Sequence, residues 1–365
     1  MTGEAKVALA HDYLSVRGGA ERVVEAMSRV FPDARVYTSL FVPEWYPELA
    51  ERSITTSPLN RVSWLARHYR AALPVLPAMW NHLQLDPADP ADVVICSTTG
   101  WAHGLRTEIP KIAYCHNPAR WLYQLDDFAS TAPWHRAVLV PLSPQLRRWD
   151  QRAAASCARY VANSTAVARR VEQVYRREVT VVWPPSSFDP AGPVRPIEGV
   201  EPGFALCVSR LLGYKNVRAV VEAARLVPKL TWLVIGDGPL RRELDKDLPT
   251  NVTLVGSVDE AQLRWAYQHC VGLVSASFED FGLTPVEAAM CGKPSALLRA
   301  AGFIDTCIEG INGLFFDAPT PAAIAAGARE LMEVSWDSEA IVATAARFSE
   351  ERFGKELRAV IAEVV

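Results

Sequence analysis

Short β-branched runs alternate with helical patterns along the whole chain, and no other feature of the sequence limits its fold so severely. Alternation of this kind marks βαβ units, because two parallel neighbouring strands need a crossover long enough to hold a helix. Strands are expected at Lys6–Ala10, Asp92–Ser97, Lys111–Cys115, Tyr160–Ala162 and Val179–Trp183, and again at Phe204–Ser209, Trp232–Gly236, Val252–Gly256, Gly272–Ser275, Pro294–Leu298 and Gly313–Phe316. Between the two sets, residues 183–203 (WPPSSFDPAGPVRPIEGVEPG) hold six prolines and three glycines in 21 positions with hardly any periodic apolar content. Such a stretch reads as a linker. The chain of 365 residues is also long enough for two domains at roughly 100 to 200 residues each. We therefore expect an α/β protein with two parallel sheets: a first domain over 1–185, a linker over 186–203 and a second domain over 204–346.

Composition narrows the function. Lys and Arg total 38 against 41 Asp and Glu, a net charge of −3, which lacks the cationic surplus that phosphate-backbone binding requires and argues against a nucleic-acid partner. No apolar run approaches the ~20 residues of a membrane helix, and the start MTGEAKVALAHDYL is not built like a secretory signal, so the cytoplasm is the expected compartment. The seven cysteines form no CxxC pair, and several sit inside apolar runs such as DVVICS and FALCVS; buried thiols are expected, not metal ligands or disulfides.

The most specific motif is Phe278-Glu279-Asp280-Phe281-Gly282-Leu283-Thr284-Pro285-Val286-Glu287, directly after the apolar run ending at Ser275. It reads strand, loop, helix. With Thr284 as cap and Pro285 at the first helical position, the amides of Gly282, Leu283 and Thr284 would offer free N–H groups to a diphosphate. Glu279 could then accept hydrogen bonds from sugar hydroxyls and Glu287 from a ribose diol. The competing account makes Thr284 and Glu287 a capping box; it leaves the upstream carboxylate, and a glycine beside an expected exposed aromatic, Phe281, unaccounted for. In Ser209-Arg210-Leu211-Leu212-Gly213-Tyr214-Lys215-Asn216, two cations five residues apart follow a strand, and Asn216 caps the helical pattern after it. Placed at a strand's carboxyl end, Arg210 and Lys215 can clamp a diphosphate. Gly18-Gly19 sits between the first strand and a helix with Val23, Val24, Met27 and Val30 on one face, where glycine admits either a ligand or a tight turn. His116 follows the strand KIAYC and is placed to touch a substrate hydroxyl, whereas His103 and His11 read as structural.

Several weaker signals resolve against function. Gly236-Asp237-Gly238-Pro239 has Arg241 where a dinucleotide fingerprint needs its third glycine, and Asp245-Lys246-Asp247 lies in a charged run that reads as a solvated helix end. Residues 58–85 interleave Arg61, Arg67 and Arg70 with Trp64, Leu65, Tyr69 and Trp80; core packing with basic edges is the first reading, weak contact with an anionic membrane surface the second. In the final segment Phe353, Leu357, Val360 and Ile361 share one helical face that must pack on something.

Taken together, Gly18-Gly19, the His116 loop, Arg210 with Lys215 and the E-x7-E pair Glu279 and Glu287 resemble the family-4 retaining glycosyltransferases of the GT-B fold, in the same order along the chain. The resemblance implies two Rossmann-like domains with parallel sheets facing across a cleft, the second domain holding the nucleotide and residues 347–365 crossing back to the first. It assigns Arg210 and Lys215 to the donor diphosphate, Glu287 to the ribose, and the backbone of Gly256 to Val258 to the base. Glu279 and the amides after Phe281 fall to the transferred sugar, and His116 to a sugar hydroxyl near the reacting centre. It further implies transfer with retention, no metal or other cofactor, and a nucleotide-diphosphate sugar as donor. The opening HDYLSVRGGAERV and the YCHNPAR-W loop look most like members that build bacterial surface polysaccharides and glycolipids, often from GDP-mannose, although Asn117 and Ala119 depart from the commonest form of that loop. The acceptor would be a glycan, a lipid-linked or a small-molecule hydroxyl, met in the cytoplasm or at the inner face of its membrane. The same residues could also serve an isomerase or hydrolase acting on a nucleotide sugar, or a binding protein that never turns over.

Overall fold

The computed structural model describes residues 5–68, 75–124 and 133–365, which divide into two compact units, 1–187 with 350–365 and 188–349. In the first unit seven strands form a wholly parallel sheet: β1 (Val7–His11), β2 (Val36–Thr38), β3 (Ile54–Thr56), β4 (Val93–Thr98), β5 (Lys111–Cys115), β6 (Arg159–Ala162) and β7 (Val179–Val181), in the order β3-β2-β1-β4-β5-β6-β7. The second unit holds six: β8 (Ala205–Val208), β9 (Trp232–Ile235), β10 (Val252–Gly256), β11 (Gly272–Ser275), β12 (Ser295–Leu298) and β13 (Gly313–Phe316), in the order β10-β9-β8-β11-β12-β13. Both are doubly wound, with the direction of winding reversing between β1 and β4 in one and between β8 and β11 in the other. Two strands, β2 and β3, were not expected; at three residues each they are too short to show a period of two.

The two faces of each sheet are buried, as parallel strands require. In β1, Val7 and Leu9 join a core with Val23, Met27 and Val36 on one face, while Ala8 and Ala10 join Tyr37, Trp80 and Trp101 on the other. The second sheet repeats this: Ala205 and Cys207 face Val220, Ala224 and Ile324, whereas Phe204 and Leu206 face Trp265, Tyr267 and Ala288. Among the described residues all seven cysteines are free thiols, six buried and Cys291 half-buried.

Residues 188–203, expected as linker, pack on the second unit. Phe188 and Ile197 lie in its core, and Arg264 holds the segment by donating to the backbone carbonyls of Asp189 and Pro193. Prolines break the periodicity that would have marked this burial.

The last helix, Glu350–Ala362, belongs to the first unit. Phe353, Leu357, Val360 and Ile361 enter the core of Val7, Leu9 and Met27, the Phe353 ring meets Tyr114 edge-on at 5.8 Å, and Arg29 pairs with Glu350 at 2.8 Å. No helix among the described residues is long and apolar enough to cross a membrane. Truncating the fully buried Phe353 is expected to destabilise the first unit by about 3 to 5 kcal/mol through lost burial and a cavity. Urea unfolding of Phe353→Ala checks this, and a change under about 1 kcal/mol would show that the helix contributes little to that core.

Candidate functional site

Open doubly wound sheets bind ligands beyond the carboxyl ends of the strands where the winding reverses. In the second unit that point lies between β8 and β11, and the two loops leaving it carry the residues singled out from sequence. They are laced together: Asn216 Nδ2 donates to the Ala276 carbonyl at 2.8 Å, Ser277 Oγ donates to the Lys215 carbonyl at 3.2 Å, and the Lys215 ammonium pairs with Glu279. Lys215 is only 8% exposed, its Nζ 4.9 Å from the Tyr214 ring centroid. Buried in this way, an ammonium needs a counter-charge, which Glu279 supplies. The same carboxylate, after burial itself, lifts the Cys207 thiol to about 12. Arg210 lies in the same loop with its guanidinium exposed and paired with no acidic group among the described residues.

The helix Leu283–Met290 starts earlier than expected. Its cap is Gly282, not Thr284, which stands at the second helical position. Gly282 has φ +91°, and a Cβ there would come 2.6 Å from the Phe303 ring, so glycine is required on two counts. The first-turn amides of Leu283 and Thr284 have no partner within the helix. The capping box of the competing account does not form: Glu287 is buried and accepts the Tyr267 hydroxyl at 2.7 Å. Phe281, expected to be exposed, is buried against Phe348 at 5.6 Å; the exposed aromatic of this loop is Phe278. Gly302 donates its N–H to the Glu279 carbonyl at 2.9 Å and fixes the loop from the far side. Gly256 ends β10 with its carbonyl on the Gly236 amide at 2.7 Å, and Val258 packs on the core beyond it.

Asn216 precedes the helix Val217–Arg225, as expected, but in the left-handed region at φ 53°, with its side chain committed to Ala276 instead of capping. Gly236 is needed where a Cβ would fall 2.0 Å from the Ser209 carbonyl oxygen, so the fingerprint-like glycine serves close loop packing. Asp245 and Asp247 are tied to Arg241 and Arg225 at 2.9 Å each, a charged helix end.

In the first unit the winding reverses between β1 and β4, and there the key residue escaped sequence reasoning. Asp12, directly after β1 and buried, accepts from the Thr99 amide and hydroxyl at 2.6 Å each, from the Ala102 amide at 2.6 Å and from the Trp101 amide at 3.2 Å. Its partners lie some ninety positions away, and the only local signal is an acid at a strand's carboxyl end. His116, buried as the strand KIAYC ends, has Nε2 2.8 Å from Ser97 Oγ, and Ser97 Oγ is 3.0 Å from Nδ1 of His11. The histidine read as structural thus stands in line with the one read as functional. Gly18 caps the helix Gly19–Val30; a Cβ at Gly18 would come 2.8 Å from the buried Glu21 carboxylate, while around Gly19 there is open space. His103 lies 3.1 Å from Asp150, a buried structural pair.

Residues 58–68 place Arg61, Val62, Trp64 and Arg67 on the surface, with Trp64 58% exposed and stacked on His68, while Trp80 is fully buried. Tyr69 and Arg70 lie outside the described residues.

Burial first, then the neighbouring His11, pulls the His116 imidazole from 6.5 down to about 3. The unfolded chain takes up that proton near 6.5 and the folded unit only far into acid, so stability carried by the neutral ring is complete above 6.5 and is lost as pH falls toward 3. The urea midpoint should drop across this window, and His116→Gln, which cannot charge, should flatten the slope; equal slopes in both proteins would contradict the assignment.

Two family models match the chain in succession: the one described as Glycosyltransferase Family 4 over residues 17–186, and the one described as Glycosyl transferases group 1 over residues 195–349. Among curated proteins, glycogen synthase of Thermus thermophilus is 26% identical over 191 residues, 48% of this chain and 44% of that protein, so the chain spans under half of that relative's length. Among solved structures, Anabaena Alr3699/HepE in complex with UDP and glucose is similar with a TM-score of 0.67 at 17% identity, over 98% of this chain and 99% of that one. Sucrose-phosphate synthase from Thermosynechococcus elongatus gives 0.71 at 15% identity over 98% of each chain. At such identities these two likenesses concern the fold.

Proposed function

The chain belongs to the family-4 glycosyltransferases of the GT-B fold, and we propose that it moves a hexose from a nucleotide-diphosphate sugar to an acceptor hydroxyl with retention. The observation that carries this reading is the Lys215–Glu279 pair at the winding reversal of the second sheet. A diphosphate arriving there exchanges one anionic partner of Lys215 for another, and Glu279, released, is free to accept from sugar hydroxyls. Arg210, exposed in the same loop, adds the second cation. On this account the two cations stabilise the leaving nucleoside diphosphate, the work a metal performs in other enzymes. Glu287, which accepts from Tyr267, would accept from the ribose diol as a carboxylate can.

In the chemical step the acceptor oxygen bonds to the anomeric carbon as that carbon's bond to the phosphate oxygen breaks. The acceptor's proton passes to the departing phosphate, so no protein base is consumed, and His116 contacts a sugar hydroxyl. The donor we favour is GDP-mannose, on the HDYLSVRGGAERV opening and the His116 loop; UDP in the Anabaena structure makes UDP sugars the first comparison. The acceptor is a glycan, lipid-linked or small-molecule hydroxyl in the cytoplasm. Exposed Trp64 and Val62 beside Arg61 and Arg67 support weak contact with an anionic membrane surface if it is lipid-linked.

Lys215→Ala is expected to lower turnover by ~10²-fold or more, in line with removal of one electrostatic donor. Calorimetric titration of GDP, UDP and ADP in EDTA checks the binding side: one diphosphate binds the wild type and loses affinity in the variant. Full activity in Lys215→Ala would overturn the assignment.

A further inference from the structure

We propose that Ser97 and His11 are positioning residues that fix His116 in the tautomer carrying its proton on Nδ1. The three groups come from adjacent strands. Register pairs His11 of β1 with Ser97 of β4, and β5 pairs Cys115 with Thr98, which brings His116 one step past the strand end beside them. All three are buried, and the His11 and His116 rings meet edge-on at 6.5 Å.

His11 Nδ1 lies 3.1 Å from the Ser97 carbonyl oxygen and 3.0 Å from Ser97 Oγ. A carbonyl oxygen only accepts, so His11 Nδ1 carries a hydrogen, shared between those two oxygens. Ser97 Oγ accepts on that side, and its own hydrogen is left for its other neighbour, His116 Nε2 at 2.8 Å. His116 Nε2 is then an acceptor, and a neutral imidazole that accepts at Nε2 has its proton on Nδ1. Burial keeps that ring neutral at ordinary pH. With His11 Nδ1 so protonated, the reverse assignment makes Ser97 Oγ accept twice and leaves its hydrogen buried with no third partner among the described residues; moving the His11 proton to Nε2, 3.8 Å from Glu21 Oε1, would let Nδ1 take that hydrogen but would leave Nδ1 facing the Ser97 carbonyl with no hydrogen between them.

Resting on the reading of His116 as the group that touches a sugar hydroxyl, this turns a general contact into a directed one. Nδ1 makes no hydrogen bond among the described residues, and with a hydrogen on it His116 donates to a lone pair of the sugar oxygen. The hydroxyl's own hydrogen must then be accepted elsewhere.

The test is spectroscopic and independent of turnover. Two-bond ¹H–¹⁵N correlation spectra of the full chain labelled with ¹⁵N-histidine, His116 being assigned by the peaks lost in His116→Gln, should show a protonated shift at Nδ1 and an unprotonated one at Nε2. In Ser97→Ala the proton should move to Nε2 in a measurable fraction of molecules. In Ser97→Cys, close in size and a weaker donor, an intermediate pattern is expected, which covers the case in which Ser97→Ala does not fold. An Nε2–H pattern in the wild type, or spectra unchanged by either substitution, overturns the proposal. Undiminished turnover in His116→Gln would instead overturn the sugar contact and leave the tautomer assignment standing.

Discussion

A lysine ammonium almost out of water must be met by a negative charge, and the second unit is built around the way Lys215 meets this demand. The partner, Glu279, comes from the neighbouring loop, so the pair welds together the two loops that leave the sheet where its winding reverses. Asn216 and Ser277 reinforce the weld, and Gly282 and Gly302 let the second loop sit hard against the helix starting at Phe303. Under the proposed function, the donor diphosphate takes the place of Glu279 as the partner of this charge. A cation already oriented costs less to bring to a ligand than one recruited from solvent.

The first unit answers the same topological opportunity with an anion. Asp12 gathers backbone and hydroxyl donors from residues 99–102 and so shapes the loop after β4 around the loop after β1. Beside it the buried His11, Ser97 and His116 form a file of hydrogen bonds across three strand ends. Charge and hydrogen-bonding capacity are thus concentrated at the carboxyl edge of each sheet, and apolar side chains fill both faces.

What could be read in the sequence was whatever depends on local pattern. The runs KIAYC, VTLVG, GLVS and GLFF become strands with the expected ends, and the apolar face of Phe353, Leu357, Val360 and Ile361 packs as its spacing requires. Arg210, Lys215 and Glu279 could be picked out because loops at strand ends are where charge is informative. What could not be read depends on partners remote in sequence. The cap at Gly282 rests on the Phe303 ring, the fate of Glu287 on Tyr267, the burial of Phe281 on Phe348, and the whole role of Asp12 on residues 99–102. The boundary between the units falls inside the expected linker, and the burial of the remainder could not be read for a related reason: proline-rich segments show no period even when, as at Phe188 and Ile197, they contribute to a core.

We propose that the Lys215–Glu279 loop pair receives the donor diphosphate. A crystal structure of the full chain with the nucleoside diphosphate it binds best tests this directly. Diphosphate oxygens are expected within hydrogen-bond distance of Lys215 Nζ and the Arg210 guanidinium, with Glu279 drawn off Lys215. A diphosphate held elsewhere, at Gly18-Gly19 for example, over an intact Lys215–Glu279 pair would contradict it.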